Sequence, residues 1–402
     1  MRIALVSEHA SPLALLGSDD AGGQNVHVAE LARALGRRGV EVVVHTRRDD
    51  PSQLRRVEFA PNVVVDHVPA GPAEPIAKDE LLPHMAAFAD DLAATWSADP
   101  PDVVHSHFWM SGLATLAASR RVAVPMLHTF HALGIEKRRQ QGGQDTSPGE
   151  RIAIEAAIAR QADALVATTA VESCALQRMG ASPTRVAVVP CGVDLSRFHP
   201  DGPAHRRRPG WARIVAASRL VPRKGVGELI TALARVPRTE LVIAGGPPAG
   251  LVDDADEGIR LSQLARRAGV ADRVTFLGAV CREEMPALLR SADVVACCPW
   301  YEPFGLVAVE AMACGVPVLA TAVGGLAETV VHGTTGAHVR PRDPDSIASG
   351  LSSLLADDAA RRRMGEAAAA RARTYGWDDV AERTLEVAHD VLAPRTARRE
   401  VG

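Results

Sequence analysis

Short apolar runs rich in β-branched residues alternate with helical patterns along most of this chain. In the first half such runs occupy residues 3–7, 41–45, 63–68, 103–105, 124–129, 164–168 and 186–189. After residue 211 the alternation restarts, with runs at 214–217, 241–244, 274–277, 294–297 and 316–321. Alternation of this kind predicts an α/β fold, in which helices cover both faces of a largely parallel sheet.

The alternation is interrupted between Asp194 and Trp211. This stretch has the composition of a linker, with charged residues and Pro200, Gly202, Pro203, Pro209 and Gly210. For 402 residues, two domains are the expected number. We therefore predict two doubly wound, Rossmann-like domains, 1–199 and 200–376, and a final amphipathic helix at 377–392. Ligands of such sheets lie beyond the carboxyl ends of the strands, so two facing domains predict one central cleft.

Charge and composition argue against several classes of protein. The formal net charge is -3 and no long run of one sign appears, which disfavours a nucleic-acid partner. No apolar run approaches the roughly 20 residues of a membrane span, and the chain begins as a strand rather than as a signal peptide. The six cysteines form no paired C-x-x-C motifs, so we expect reduced cysteines and a cytoplasmic protein rather than a zinc site.

One segment combines groups that suit two parts of a single ligand. Glu302-Pro303-Phe304-Gly305 lies where a loop leads into a helix, and Glu310 falls on the second turn of that helix. A helix N-terminus exposes unpaired N–H groups and attracts phosphate, whereas each carboxylate can accept hydrogen bonds from a vicinal diol. Such a surface suits a nucleotide-sugar.

Two cations follow the first strand of the second domain. Ser218-Arg219-Leu220 ends that strand and Lys224-Gly225 comes shortly after it. Lysine is scarce, since of 45 basic residues only three are lysines: Lys78, Lys137 and Lys224. Next to the helix amides near Gly305, Arg219 and Lys224 can neutralise a diphosphate and stabilise it as a leaving group. The alternative is that both are surface charges beside a turn.

The first domain carries two further motifs at strand ends. Gly22-Gly23-Gln24-Asn25 lies in the first strand-to-helix loop, where glycine lets the backbone approach an anion or a sugar. It is not a G-x-G-x-x-G fingerprint, which argues against a dinucleotide site. His105-Ser106-His107 and His128-Thr129-Phe130-His131 each end an apolar strand. No acidic or cysteine ligand accompanies them in sequence, so we predict no metal and expect His131 to face the substrate.

Two basic residues of the first domain are harder to interpret from their surroundings. Lys78 lies in a loop between Pro72 and Pro83, where a solvated lysine is the plain interpretation. Arg151 opens a predicted helix at 151–160, where the helix dipole disfavours a cation. A cation there suggests either irregular local structure or an anion to bind.

Together these motifs resemble the retaining glycosyltransferases of family GT4, which have the two-Rossmann-domain GT-B architecture. The subgroup they resemble holds sucrose-phosphate synthase and the inositol-phosphate N-acetylglucosaminyltransferase of mycothiol synthesis. The resemblance runs over nearly the whole chain and includes the Gly324-Gly325 turn. Further matching segments are Ser11-Pro12-Leu13, Asp20-Ala21-Gly22-Gly23-Gln24-Asn25-Val26 and Val189-Pro190-Cys191-Gly192-Val193-Asp194.

The resemblance implies a donor site in the second domain. Arg219 and Lys224 would hold the donor diphosphate, helped by Gly23 and the amides near Leu306 and Val307. Glu310 would take the ribose hydroxyls and Glu302 those of the transferred sugar, while His131 would lie near the reacting carbon. The remaining donor-binding residues would be Arg282 near the base, Phe304 and Gly305. The helix from Trp377, within 377–402, would return to pack on the first domain.

For the acceptor, the resemblance implies a site in the first domain. Members with a phosphorylated acceptor have basic residues at the positions of Lys78 and Arg151. Gln24 and Asn25 lie in the adjoining loop, and Gln24 resembles sucrose-phosphate synthase. Phe108 and Ala132 replace a tyrosine and a threonine of the mycothiol enzymes, and so remove two hydroxyls. This argues against inositol phosphate and leaves another phosphorylated or anionic acceptor open.

The mechanism implied is front-face displacement, in which the departing diphosphate takes the acceptor proton. No carboxylate is placed to act as a covalent nucleophile. We expect a metal-independent enzyme that uses a UDP-linked donor and no cofactor. The competing hypotheses are a non-hydrolysing sugar-nucleotide epimerase and a non-catalytic nucleotide-sugar sensor. The sequence leaves open whether the protein is a monomer or a homodimer.

Overall fold

The computed structural model describes residues 1–14 and 22–399. Within this part of the chain, contacts between Cα atoms separate two units. The N-terminal unit runs to Gly192 and also contains the chain from Trp377 onward, and the C-terminal unit is Val193–Gly376. Asp20 and Ala21 of the predicted front loop lie outside the described residues.

The N-terminal unit is built on a sheet of eight strands, counted over the described residues, in the order β3-β4-β2-β1-β5-β6-β7-β8. All neighbours are parallel except β3 and β4. The strands are β1 (Arg2–Val6), β2 (Glu41–Arg47), β3 (Arg56–Ala60), β4 (Val63–Val68), β5 (Val103–His107), β6 (Met126–Thr129), β7 (Ala164–Ala167) and β8 (Val186–Val188).

Helices of the N-terminal unit follow these strands. They are α1 (Gly23–Arg37), α2 (Met85–Ala98), α3 (Trp109–Val122), α4 (Gly134–Gln141), α5 (Arg151–Gln161) and α6 (Ala170–Arg178). Short 3-10 helices occupy Lys78–Glu80, Leu82–His84, Gly142–Gln144 and Pro183–Arg185.

Strand β1 shows why helices cover both faces of this sheet. Its side chains alternate in direction, so Ile3 and Leu5 pack in one buried cluster while Ala4 and Val6 pack in another. A strand buried on both faces is the pattern of a doubly wound parallel sheet.

The C-terminal unit contains a parallel sheet of six strands among the described residues, in the order β11-β10-β9-β12-β13-β14. Its strands are β9 (Ala212–Ala217), β10 (Thr239–Ala244), β11 (Val274–Gly278), β12 (Val294–Cys297), β13 (Val318–Thr321) and β14 (Gly336–Val339). Its helices are α7 (Val226–Leu233), α8 (Asp256–Arg267), α9 (Met285–Arg290), α10 (Leu306–Ala313), α11 (Leu326–Thr329), α12 (Pro344–Leu355) and α13 (Asp358–Ala372). Short 3-10 helices occupy Pro222–Lys224, Ala249–Asp254, Ala271–Arg273 and Arg373–Tyr375.

The last helix, α14 (Trp377–Arg399), belongs to the N-terminal unit. Its residues Trp377, Val380 and Ala381 share a buried cluster with Leu31 and Leu35 of α1. A Cβ on Gly192 would lie 2.4 Å from the Trp377 ring, so this glycine allows the ring to pack directly on the backbone. Among the described residues no helix is long and apolar enough to cross a membrane.

Adjacent parallel strands bring distant residues to one edge of each sheet. In the N-terminal unit β1, β5 and β6 are neighbours, and His107 pairs with Thr129 in register. The residues that follow these three strands are therefore close together beyond their carboxyl ends, where α/β sheets bind ligands.

Candidate functional site

An ion pair joins two of the predicted donor residues in the C-terminal unit. Lys224 ends the 3-10 helix behind β9, and Glu302 lies in the loop after β12. Lys224 Nζ donates to Glu302 Oε2 at 2.5 Å. The two side chains are 18% and 20% exposed, so both are reachable by a ligand yet partly removed from water. The structure thus brings together a cation and a carboxylate that lie far apart in sequence.

Basic charge accumulates around this pair. Burial lowers the pKa of Arg223 below its usual range, and the positive charge of Arg219 lowers it further while Glu302 opposes the shift. Arg219 and Arg223 therefore act within electrostatic range of each other, and Arg223 acts within range of Glu302, the partner of Lys224. Sequence reasoning missed Arg223, although its position directly before Lys224 was a signal that could have identified it.

A second ion pair joins Arg282 and Glu310. Arg282 Nη1 donates to a carboxylate oxygen of Glu310 at 2.8 Å. Glu310 lies on the second turn of α10 and is only 5% exposed, so burial raises the pKa of its carboxyl group while Arg282 opposes that rise. The Arg282 guanidinium also lies 5.1 Å above the Phe198 ring. The two residues expected near ribose and base are thus partners in this structure.

The thiol of Cys297 shows that the two pairs share one environment. Burial raises its pKa to about 12; Glu302 and Glu310 add to this shift and Lys224 opposes it. Both carboxylates and the lysine therefore act on one side chain at the carboxyl end of β12.

Helix α10 begins beside these pairs. Gly305 precedes it with φ +94°, and the half-buried Leu306 and Val307 form its first turn, where amide groups have no partner within the helix. The loop that carries Glu302 is fixed by the turn before α11, because Gly325 N donates to Glu302 O at 2.9 Å. At Gly324, φ is +48° and a Cβ would lie 2.1 Å from that same oxygen, so no larger residue fits. Phe304 is buried in an edge contact with Tyr375.

In the N-terminal unit, Phe108 is the centre of the predicted acceptor residues. It joins β5 to α3 with φ +78° and ψ +153°, a conformation that residues other than glycine rarely adopt. Lys78 Nζ lies 5.8 Å from the centroid of its ring and the Arg151 guanidinium lies 5.0 Å from it. Strain of about 1–3 kcal/mol is typical of such backbone and is common at functional sites.

Arg151 has a partner within its own helix. It is 2% exposed, and its Nε donates to Glu155 at 2.7 Å, one turn further along α5. Its Nη2 donates to Ala132 O at 2.6 Å, which fixes the segment after β6. The sequence suggested an anion next to Arg151, and in the structure Glu155 is such an anion. Burial raises the pKa of the Glu155 carboxyl group, and Arg151 opposes that rise.

The glycine-rich loop leads into α1, with Gly23 exposed as its first residue. Asn25 is buried and its side chain is committed to the backbone: Oδ1 accepts from Gly22 N at 2.9 Å and Nδ2 donates to Ser11 O at 3.1 Å. Gln24 donates to the His107 carbonyl at 3.3 Å and to Ser7 Oγ at 3.2 Å. Asn25 thus shapes the loop, while Gln24 connects it to the end of β5.

His131 lies after β6 with φ +60° and contacts two other imidazoles. Its Nε2 is 3.0 Å from His107 Nδ1, and its ring centroid is 4.8 Å from that of His27. Burial lowers the pKa of His131 well below its usual range, and neighbouring imidazoles lower it further, so its side chain is neutral at pH 7. His27 was not predicted as a site residue, because it lies on α1, far in sequence from both histidine doublets.

A buried acid was also missed. The Glu8 side chain, directly after β1, is fully buried; its Oε1 lies 2.6 Å from His9 Nδ1 and its Oε2 accepts from Ser111 Oγ. The His9 ring lies edge-on to Phe108 at 4.8 Å. The carboxyl end of a first strand is a place where such residues are expected, and that rule could have identified them.

Comparison with known proteins extends these observations. Residues 21–197 match the family Glycosyltransferase Family 4, and residues 203–371 match Glycosyl transferases group 1. The D-inositol 3-phosphate glycosyltransferase of Xylanimonas cellulosilytica is 40% identical, over 99% of this chain and 98% of that protein. The enzyme of the same name from Streptomyces scabiei is also 40% identical, over 96% and 90%.

A solved structure agrees with this assignment. Sucrose-phosphate synthase from Thermosynechococcus elongatus superposes with a TM-score of 0.89 at 31% identity, covering 98% of this chain and 99% of that one. Two parallel-sheet α/β units, the two family matches and these relatives lead to one conclusion. The chain belongs to family 4 of the glycosyltransferases, has the GT-B fold, and is an enzyme that transfers a sugar from a nucleotide-sugar.

Proposed function

We propose that this enzyme is a retaining, metal-independent hexosyltransferase that uses a UDP-linked donor and a small phosphorylated acceptor. The observation that carries the proposal is the Lys224–Glu302 pair beside the start of α10. A ligand carrying both a diphosphate and hydroxyl groups can satisfy both members of this pair at once. The diphosphate takes the cation and the hydroxyls take the carboxylate.

Donor binding then exchanges one set of partners for another. Lys224 and Arg219 turn to the diphosphate, helped by the amides of Leu306 and Val307. Glu302 accepts hydrogen bonds from the transferred sugar, and Glu310, already held by Arg282, accepts those of ribose. Charge that develops on the leaving diphosphate is met by fixed cations, which supports transfer without a divalent ion. Retention follows if the acceptor attacks from the face that the diphosphate leaves.

For the acceptor, the relatives named for D-inositol 3-phosphate support a phosphorylated polyol. Lys78 and Arg151 lie around Phe108. Lys78 supplies a positive charge for that phosphate, whereas Arg151, paired with Glu155, holds the Ala132 carbonyl and so fixes the acceptor segment after β6. Phe108 and Ala132 have no hydroxyl group, so we propose that the acceptor ring differs from inositol in the hydroxyls it presents there. Assays with D-inositol 3-phosphate and with other sugar and polyol monophosphates will distinguish these acceptors.

A thermal-shift comparison of UDP-, GDP- and ADP-sugars tests the donor. A ligand that binds only the folded enzyme raises the melting temperature according to its occupancy, so the UDP-sugar is expected to stabilise most. The assay is run in the presence of a chelator, with and without added magnesium. Stronger stabilisation by GDP- or ADP-sugars, or transfer that stops when divalent ions are removed, would contradict the proposal.

Lys78→Ala tests the acceptor site. Removing one charged hydrogen bond to a phosphate is expected to raise the acceptor KM about 10- to 100-fold, with little change in the donor KM. Lys78→Arg is the matched control, since it keeps the charge, and it is expected to lie between Lys78→Ala and the wild-type enzyme. Steady-state kinetics with each substrate varied in turn gives both constants. A change confined to the donor KM would show that the acceptor site is elsewhere.

A further inference from the structure

Three imidazoles, two of them buried and one partly buried, converge in the N-terminal unit. His27 comes from α1, His107 ends β5 and His131 follows β6. One ring nitrogen of each lies within 4.8 Å of those of the other two. These three residues are called the histidine trio below. Because they lie on three separate elements of a packed sheet and helix, their positions are set by the fold rather than by one flexible loop.

The trio has more hydrogen-bonding capacity than the described protein satisfies. His107 Nδ1 and His131 Nε2 are 3.0 Å apart and share one hydrogen bond. His27 Nδ1 and His107 Nε2 are both buried without a partner among the described residues. Buried ring nitrogens of this kind are normally paired, so their presence in a packed interior calls for a ligand.

Two neighbouring histidines are set apart from the trio by position. His105 Nε2 lies 2.9 Å from Thr129 Oγ1 and His128 Nδ1 lies 2.7 Å from Ser106 Oγ, and the other nitrogen of each ring is buried without a partner among the described residues. Neither belongs to the group whose nitrogens lie within 4.8 Å of one another. On the other side of the trio, the Trp377 ring lies edge-on to His27 at 5.3 Å. The trio therefore has an apolar cover, which strengthens the bonds between a cation and its ligands by excluding water.

We propose that His27, His107 and His131 form a binding site for a divalent transition metal ion, for which Zn²⁺ is the best match. Three imidazoles without a carboxylate suit Zn²⁺ rather than Mg²⁺, which takes oxygen ligands. Bonds of about 2.0–2.1 Å in a tetrahedral site place the ligand nitrogens about 3.4 Å apart, so binding an ion would bring the nitrogens of the trio, now within 4.8 Å of one another, closer together. If His131 contacts the transferred sugar, as the proposed function requires, an occupied trio inhibits transfer.

The test uses the full-length enzyme without an affinity tag, freed of metal with a chelator. Titration with Co²⁺ is expected to give one equivalent of bound ion and the visible absorption of a four- or five-coordinate site. Zn²⁺ should displace it. X-ray absorption of the zinc form should show about three nitrogen neighbours from histidine at about 2.0 Å. This measurement needs no variant and is independent of activity.

His27→Gln should weaken binding at least about tenfold, because it removes one ligand and leaves the other two in place. His332→Gln is the matched control, since His332 and His338 form a histidine pair with ring centroids 5.9 Å apart at another location. His332→Gln is expected to bind zinc like the wild-type enzyme, and the melting temperature of each variant shows whether it is folded. Equal affinity of wild-type and His27→Gln protein, or a zinc shell without histidine, would overturn the metal site.

Activity separates this inference from the proposed function. Zn²⁺ is expected to slow sugar transfer reversibly in the wild-type enzyme, with a chelator restoring the rate, and to do so less in His27→Gln. Zinc bound at the trio of a protein that transfers no sugar would refute the proposed function and leave the metal site standing. Transfer that proceeds unchanged with the trio fully occupied would overturn the inhibitory role.

Discussion

Lys224→Ala is expected to lower kcat by about 10²- to 10³-fold at saturating acceptor, the loss typical of removing one group that stabilises charge in the transition state. Lys224 carries a fixed positive charge next to Glu302. Under the proposed mechanism its ammonium group binds the diphosphate and stabilises the negative charge that develops there as it departs. Its contribution is largest when the bond to the sugar breaks, so kcat should fall more than donor affinity. Steady-state kinetics with both substrates varied measures the two effects separately.

Arg235→Ala provides the control for Lys224→Ala. Arg235 is also a cation paired with an acid, Asp345, in the C-terminal unit, but both side chains are largely exposed. Removing an exposed pair changes stability by at most about 1 kcal/mol and should leave turnover unchanged. If Lys224→Ala retained nearly wild-type turnover, the leaving-group assignment would be wrong. If Lys224→Ala changed only the donor KM, Lys224 would stabilise the bound donor rather than the transition state.

Arg151→Ala is expected to destabilise the N-terminal unit by about 3–5 kcal/mol, because it leaves the buried Glu155 carboxylate without its partner. For a unit of this size the corresponding fall in melting temperature is roughly 10 °C. Arg121→Ala is the control, since the Arg121–Asp90 pair is exposed on both sides. Thermal and urea unfolding measure the loss in each variant. A loss below 1 kcal/mol would show that the buried pair contributes little.

The stability of Arg151→Ala should also depend on pH. Burial already raises the pKa of Glu155 above its ordinary value of 4.5, and without Arg151 only the hydrogen bonds from Gly134 N still oppose the rise. A carboxyl group with a raised folded pKa favours the folded state when protonated. The deficit should therefore be largest at pH 7 and shrink as the pH falls toward 5.

A double variant separates the two roles of Arg151. Arg151→Met with Glu155→Leu replaces the buried pair with apolar side chains, which is often neutral for stability. It is expected to recover most of the melting temperature while the acceptor KM stays raised. Recovery of both would show that Arg151 acts on structure alone.

Much of the fold follows from local sequence patterns. Runs such as 63–68 and 294–297 coincide with β4 and β12, because strands buried on both faces are largely apolar. Strand β3 was not predicted, although Arg56–Ala60 alternates charged and apolar residues as a half-buried strand does. The run is only five residues long and gains its hydrogen bonds by pairing antiparallel with β4 at the sheet edge. Strand β14 was missed because its four residues begin with glycine and are only partly apolar.

Part of the candidate site could likewise be predicted from the sequence, and part could not. Lys224, Glu302 and Glu310 carry their chemistry within recognisable motifs, so their placement on a loop and a helix could be predicted. The pairs that they form with one another and with Arg282 join segments up to 78 residues apart, and sequence spacing does not encode such contacts. His27 and the Glu8–His9 pair were missed for the same reason. The contacts of each of these residues come from a strand or helix that lies beside it only in the folded protein.

The return of α14 to the N-terminal unit affects the order in which the protein can mature. Residues 193–376 form a complete unit before the chain reaches Trp377, whereas the first unit still lacks the helix that covers Leu31 and Leu35. During synthesis the N-terminal unit is thus begun first and completed last. Its apolar face stays uncovered while the C-terminal unit is translated. A released chain truncated after residue 376 should therefore be more readily cleaved by proteases in the N-terminal unit than in the C-terminal unit.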